Sequence, residues 1–418
     1  MGSQVLPSGG RRLLLATALG TLALGYAVYT WQIFTTRGLF EYLGLDYRAY
    51  RSSAEIARSI GFAQVYDLNT QARFQRPLHQ AYSFGLWRIP FAPTPTPYLP
   101  AFILPLLWLP DFKPVPGFLF WALLNAAVLV AYLRRFVSAA GAQSGRSAGC
   151  EFLLSLPVFT NLVFGQINVW LFIFTGEFLL AGMRRKEFRS GLWLGGLLLK
   201  PQTLILFVPG LLIGRRFKIL AGWAASAAVI LGLSVALAGI EGMINLAQLV
   251  RIYPASLPTT FPESMMNWRA LTINHALVLS PSLAWRVGMA GLMMTLVLGL
   301  ASWLRPAPPG SPSFALLVLG TWAATAGVAW HSHVHMAMPI FAPLLYLALQ
   351  QRLPRWLLHV WILSPSILFL VEAFCIGAGR AHIMAGLAML AVNSLALGWV
   401  IWRLWSPAAT VSGLEPPR

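Results

Sequence analysis

Apolar and polar positions in this chain fall into long blocks rather than short periods. The first block, 13–34, is a run of about 20 mostly apolar residues, which at roughly 1.5 Å per residue reaches across a bilayer core. Comparable blocks follow at 118–136, 148–164, 169–183, 219–238, 283–304, 314–329, 336–349, 356–376 and 382–405. Between the first two lies a loop, 35–116. Within it, Ala54, Ile56, Ala57 and Ile60 give 47–59 the pattern of a short amphipathic helix lying along the membrane surface. Val65-Tyr66-Asp67 predicts a turn into a second short helix ending at Phe74. From Pro77 to Pro116 the prolines exclude long regular helices, and the apolar stretch 98–109 is too short to span. A second outer loop, 239–282, carries Pro254, Pro258 and Pro262.

The segment 190–213 reads two ways. It is long enough for one span, yet Lys200-Pro201-Gln202 stands at its centre and basic residues flank both ends. A single span would hold Lys200 mid-membrane at about 2.5 to 3.5 kcal/mol. Two half-helices folded at Pro201 would instead leave eight later cations on the inner side (Arg215, Arg216, Lys218, Arg305, Arg352, Arg355, Arg403, Arg418) and four outside (Arg251, Arg269, Arg286, Arg380). The positive-inside rule favours the hairpin. Broken backbone at membrane depth is tolerated where it lines a cavity, so the hairpin implies one, with Lys200 facing it. This gives about 12 passages, with Arg134-Arg135 and Arg184-Arg185-Lys186 also inside and both termini cytoplasmic.

Composition agrees: 57% of residues are hydrophobic and only 10% charged, which excludes a soluble protein. The expected architecture is an all-α polytopic integral membrane protein, one membrane domain over 1–405 with a disordered tail at 406–418. The net charge of +18, from 30 Lys and Arg against 12 acids, suits basic loops on anionic lipid. No basic run interleaved with aromatics points to nucleic acid. Cys150 and Cys375 lie at or within apolar segments and form no disulfide framework. Arg11-Arg12 resembles a signal-peptide start, but the long apolar run reads as a retained anchor.

On this topology Asp46, Gln166, Asn168, Lys200, Gln202, Asn267, Arg269, His331, His333 and His335 converge on one membrane face. Each has a bland alternative. Asp46 suits a helix cap or a solvated loop, Gln166 and Asn168 a turn, Lys200 headgroup snorkelling, and Arg269 a pair with Glu263. His331 and His335, four apart, would suit a metal with Asp46 as third ligand, but no His-Glu-x-x-His pattern supports it. No dinucleotide-binding glycine fingerprint or phosphate loop is present. A basic, histidine-bearing pocket with a carboxylate at a bilayer surface suits a phosphate-bearing lipid.

The chain resembles glycosyltransferase family 87, of the GT-C superfamily. The resemblance rests on Asp46-Tyr47-Arg48-Ala49-Tyr50, Val65-Tyr66-Asp67 with Gln71, Phe74 and Gln75, the proline-rich stretch to Pro110, Gly165-Gln166-Ile167-Asn168, Lys200-Pro201-Gln202 and Asn267-Trp268-Arg269, and spans most of 40–275. It implies the GT-C type fold and an inverting transfer of a sugar, often mannose, from a polyprenyl-phosphate donor, with Asp46 as catalytic base. Trp330-His331-Ser332-His333 departs from the family's Trp and paired His. The expected roles are then donor phosphate for Lys200, Arg269, His331 and His333, and sugar or acceptor contact for Gln166, Asn168, Gln202, Asn267 and His335. No cofactor or divalent metal is expected, because fixed cations serve a lipid monophosphate. The expected partners are membrane lipids, the lipid-linked sugar and a glycan or glycolipid acceptor at the extracytoplasmic face of the cell membrane. The competing class is a transporter or flippase with a cationic cavity. Such a protein needs a second broken segment matching the one at Pro201, and none is found.

Overall fold

The computed structural model describes residues 8–83, 91–141, 146–256 and 260–406, and these are mostly helical with no strands. Helix α1, Ser8–Arg37, carries the first apolar block. The chain then reverses through Gly44, whose φ of 71° suits glycine, and enters α2, Leu45–Ser59. One face of α2 is buried, including Tyr47, Tyr50, Ala54 and Ile56. A 3₁₀ turn, Phe62–Tyr66, leads to Asp67, whose carboxylate accepts from Thr70 N at 2.7 Å and caps α3, Leu68–Tyr82. The predicted end at Phe74 is too early, since α3 runs on through Pro77. Pro77 sits on the exposed face, as does Arg73, whose carbonyl it strips of a partner, so that carbonyl is open to solvent.

Beyond α3 the described chain resumes as an extended strap, residues 91–99, pinned from below. Gln75 brackets Thr94, donating to its carbonyl and accepting from its N–H, both at 2.8 Å. Arg48 donates to Thr94 Oγ1 at 3.0 Å, and Tyr66 Oη donates to Tyr98 O at 2.8 Å. The prolines then permit only α4, Pro100–Ile103, and two single 3₁₀ turns up to Asp111.

The bundle follows as α5, Pro114–Ala139; α6, Arg146–Leu153; α7, Leu156–Phe164; and α8, Asn168–Met183. The block at 148–164 is therefore two helices, because Ser155 adopts extended backbone ahead of Pro157. Next come α9, Glu187–Gly195, and α10, Phe207–Ile213, separated by 3₁₀ turns on either side of Lys200. The long helix α11, Phe217–Ser256, breaks at Gly239 (φ 68°) and continues. Its first half coincides with the predicted span, and its second half makes part of the 239–282 loop helical. Helices α12, Trp268–Ile273, and α13, His275–Val278, complete that loop. Then follow α14, Pro281–Ala301; α15, Pro312–Val328; a 3₁₀ segment, Val334–Ile340, running into α16, Phe341–Leu349; α17, Arg355–Cys375; and α18, Ala378–Trp405. Among the described residues five segments are long and apolar enough to cross a membrane: Pro114–Ala139, Phe217–Ile252, Pro281–Leu304, Arg355–Cys375 and Ala378–Trp405. The tail from residue 407 lies outside the described residues.

The segment around Lys200 doubles back. Arg185 packs against Gly310 and Arg216 donates to Ala307 O, so both ends of 187–213 meet the same 305–312 loop at one end of the bundle. Helix α9 runs alongside the start of α11 in the same direction, Phe188 against Gly222 and Gly195 against Ser226, with Gly191 and Gly222 letting the two backbones touch. Lys200 stands at the tip (φ −136°, ψ 85°), about 20 Å from the basic end by helical rise.

Candidate active site

Three polar tips meet where the helices stop. The first is the start of α2, which puts Asp46 in that helix's first turn. The second is the α7–α8 turn, where Gly165 (φ 74°) packs on Tyr47 so closely that a Cβ would collide with it. Asn161 holds this turn, its carbonyl accepting from Gln166 N at 2.8 Å and its side chain from Asn168 N at 3.0 Å. The third is the Lys200 tip. A loop from α15 to the 3₁₀ segment adds His331, His333 and His335, and it is tied to the start of α12 by Met266 N donating to Ser332 O at 2.7 Å.

Together they enclose a cavity of about 350 Å³, within the size range of ligand sites. Asp46, Gln166, Lys200, Gln202, His331, His333 and His335 all line it. Gln166 Oε1 accepts from Lys200 Nζ at 3.0 Å and from Tyr50 Oη at 2.8 Å, and Gln166 and Asp46 share the cavity wall. Asp46 is half-buried. Burial pushes its carboxyl up to about 6, while the Lys200 charge, the Gln166 hydrogen bond and the Arg48 charge pull the other way. A carboxylate poised near neutrality is suited to general-base work. It does not cap α2, for Gly44 occupies that position.

Not every predicted site residue reaches the cavity. Asn267 caps α12, accepting from Ala270 N at 3.0 Å and donating to Ala329 O at 2.7 Å, so both ends of its amide are committed to structure. Asn168 is buried at the start of α8 and does not line the cavity. Arg269 does not line it either, although its charge acts on His331. His333 Nε2 lies 3.0 Å from Thr260 O and its Nδ1 3.4 Å from Ser264 Oγ, so its ring holds the 260–264 loop.

Other wall residues were not singled out in the sequence. Glu41, five residues before Asp46, is buried, lines the same cavity and accepts from Ser83 Oγ at 2.5 Å. Glu263 and His382 line it too, with Tyr42, Phe164 and Ile33 forming an aromatic and apolar arm between α1 and α18. The available signal was the rarity of acids, 12 in all, in an apolar chain. Among the described residues no group of three or more His, Cys, Asp or Glu is arranged to hold a metal ion.

Comparison with known proteins gives one match. The model of glycosyltransferase family 87 matches residues 95–326, more than half of the chain; that stretch holds Gln166, Lys200 and Asn267 and leaves Asp46 and the histidines outside. Neither the curated proteins nor the solved structures yield a match. Carrying that family's match over a bundle of apolar helices, the chain belongs to glycosyltransferase family 87 and is a membrane glycosyltransferase.

Proposed function

We propose that the enzyme moves a sugar, mannose in the first instance, from a polyprenyl-phosphate donor to a hydroxyl of a lipid-linked or glycan acceptor, with inversion, at the extracytoplasmic face. The observation that carries this reading is a single cavity in which Asp46 and the Lys200 cation face the same void, with an apolar arm beside them. The topology that goes with it has about 12 passages and both termini in the cytoplasm. It draws support from the doubling-back at Lys200, which gathers Arg185 and Arg216 at one basic end.

In the proposed step the acceptor oxygen attacks the anomeric carbon from the face opposite the phosphate, while Asp46 takes the hydroxyl proton. The bond from the anomeric carbon to the phosphate oxygen breaks, and its electron pair leaves with the polyprenyl phosphate. Lys200 and His331 face the growing negative charge, and Arg269, whose charge reaches His331, adds to the field. Gln202 and His335 remain for sugar hydroxyls. The test is transfer by the purified enzyme in liposomes, offered polyprenyl-phosphate mannose and nucleotide-linked mannose in parallel. Mannose transfer from the lipid donor alone is expected. Transfer from the nucleotide donor alone would overturn the proposal.

A further inference from the structure

Gln166 was expected to touch sugar, yet its amide is already spoken for. Lysine ammonium can only donate, so the side-chain atom 3.0 Å from Lys200 Nζ is the oxygen, and Tyr50 Oη donates to that oxygen at 2.8 Å. The single Tyr50 hydroxyl proton is thereby used, and Tyr98 Oη, 3.1 Å away, donates to Tyr50 in turn. The result is a directed chain from Tyr98 through Tyr50 to Gln166, met from the other side by Lys200. With its oxygen pinned from two sides, the amide has one orientation, and its NH₂ is the group left to meet the Asp46 carboxylate on the same cavity wall. The backbone is as constrained as the side chain, since Gly165 packs on Tyr47 and Gln166 N is bonded to Asn161 O.

We infer that Gln166 is a positioning residue rather than a sugar contact: clamped by Tyr50 and Lys200, it aims and holds the Asp46 carboxylate. The inference rests on the reading of Asp46 as the base. Tyr50 lies four residues after Asp46 on α2, so one helical face carries both the carboxylate and the side chain that orients its partner. The clamp also couples the two halves of the site, because the Lys200 cation and the Asp46 carboxylate share one amide. The charged and titratable groups around Asp46 are Lys200 at the hairpin tip, Arg48 on α2 and, on the cavity wall, Arg37, Glu41, Glu263, Tyr42, Tyr98 and the histidines.

Three variants separate the roles. Gln166→Glu keeps an oxygen for Lys200 and Tyr50 but cannot donate to Asp46, Gln166→Leu loses both, and Tyr50→Phe loosens the clamp without touching residue 166. Losing a hydrogen bond to a charged group predicts a fall in kcat of about 10- to 100-fold for both Gln166 variants, and a smaller fall for Tyr50→Phe, with the KM for donor and acceptor unchanged. The activity-independent readout is the infrared band of the protonated Asp46 carboxyl, isolated by subtracting the Asp46→Asn spectrum at fixed pH 7.5. It should strengthen in Gln166→Leu and, to a lesser degree, in Tyr50→Phe. A rise in KM with no change in that band makes Gln166 a substrate contact and overturns the inference; so does a band and a kcat both unchanged. If the wild type transfers nothing from a polyprenyl-phosphate donor, the functional reading fails, while the infrared arm still decides whether Gln166 holds Asp46.

Discussion

Replacing Asp46 with Asn should stabilise this enzyme while disabling it. A free aspartate has an ordinary value of 3.8, and in the folded protein burial lifts the Asp46 carboxyl to about 6. The unfolded chain therefore releases this proton at lower pH than the folded one, so stability falls as pH rises between these values and stays reduced above about 6. The size of that penalty is about 3 kcal/mol. Asn imitates the neutral carboxyl in shape and has no proton to lose, so at pH 7.5 the variant escapes most of the penalty. Its melting temperature should rise by on the order of 5 °C. At pH 4 the two proteins should melt together. Transfer, by contrast, should drop by about 10²-fold or more, with donor-lipid affinity little changed, since the proposed base is gone. Melting curves at both pH values beside a transfer assay make the comparison. An Asp46→Asn protein that melts lower than wild type and keeps its turnover would refute both the electrostatic argument and the assignment of the base.

Three further outcomes are expected. Transfer should fall as pH drops through about 6, where Asp46 takes up its proton, and the limb should vanish from the residual activity of Asp46→Asn; a profile flat down to pH 4.5 would contradict it. Activity should survive exhaustive chelation, given the lack of a metal-holding cluster among the described residues; loss restored by added magnesium or manganese would contradict this. Cysteines placed at the exposed Lys186 and Arg215 should react with a membrane-impermeant thiol reagent from one side and a cysteine at Glu263 from the other, whereas opposite labelling of the first two would dismantle the hairpin.

Much of this arrangement can be read in the linear chain where the physics is local. The face of α2 follows from Ala54, Ile56 and Ala57, and the break at Lys200 from proline and charge in an apolar run. Asp46, Gln166, Lys200 and His331 converge because short turns bring helix ends to one level. What stayed hidden is nonlocal. That Asn267 is a cap joined to Ala329 depends on a contact 62 residues away, and the donors that clamp Gln166 lie at separations of 116 and 34 residues. The tolerance of α3 for Pro77 depends on which side faces water, and the place of Glu41 on the cavity wall depends on where Ser83 returns.

The strap at 91–99 has a thermodynamic meaning of its own. Its conformational entropy is surrendered at folding, through Gln75, Arg48 and Tyr66, rather than at the moment a substrate arrives. A wall made of Pro95, Pro97 and Tyr98 and held in this way cannot reshape itself around its cargo. Under the proposed function, whichever substrate meets this wall is selected as by a template, by its match to a contour already set.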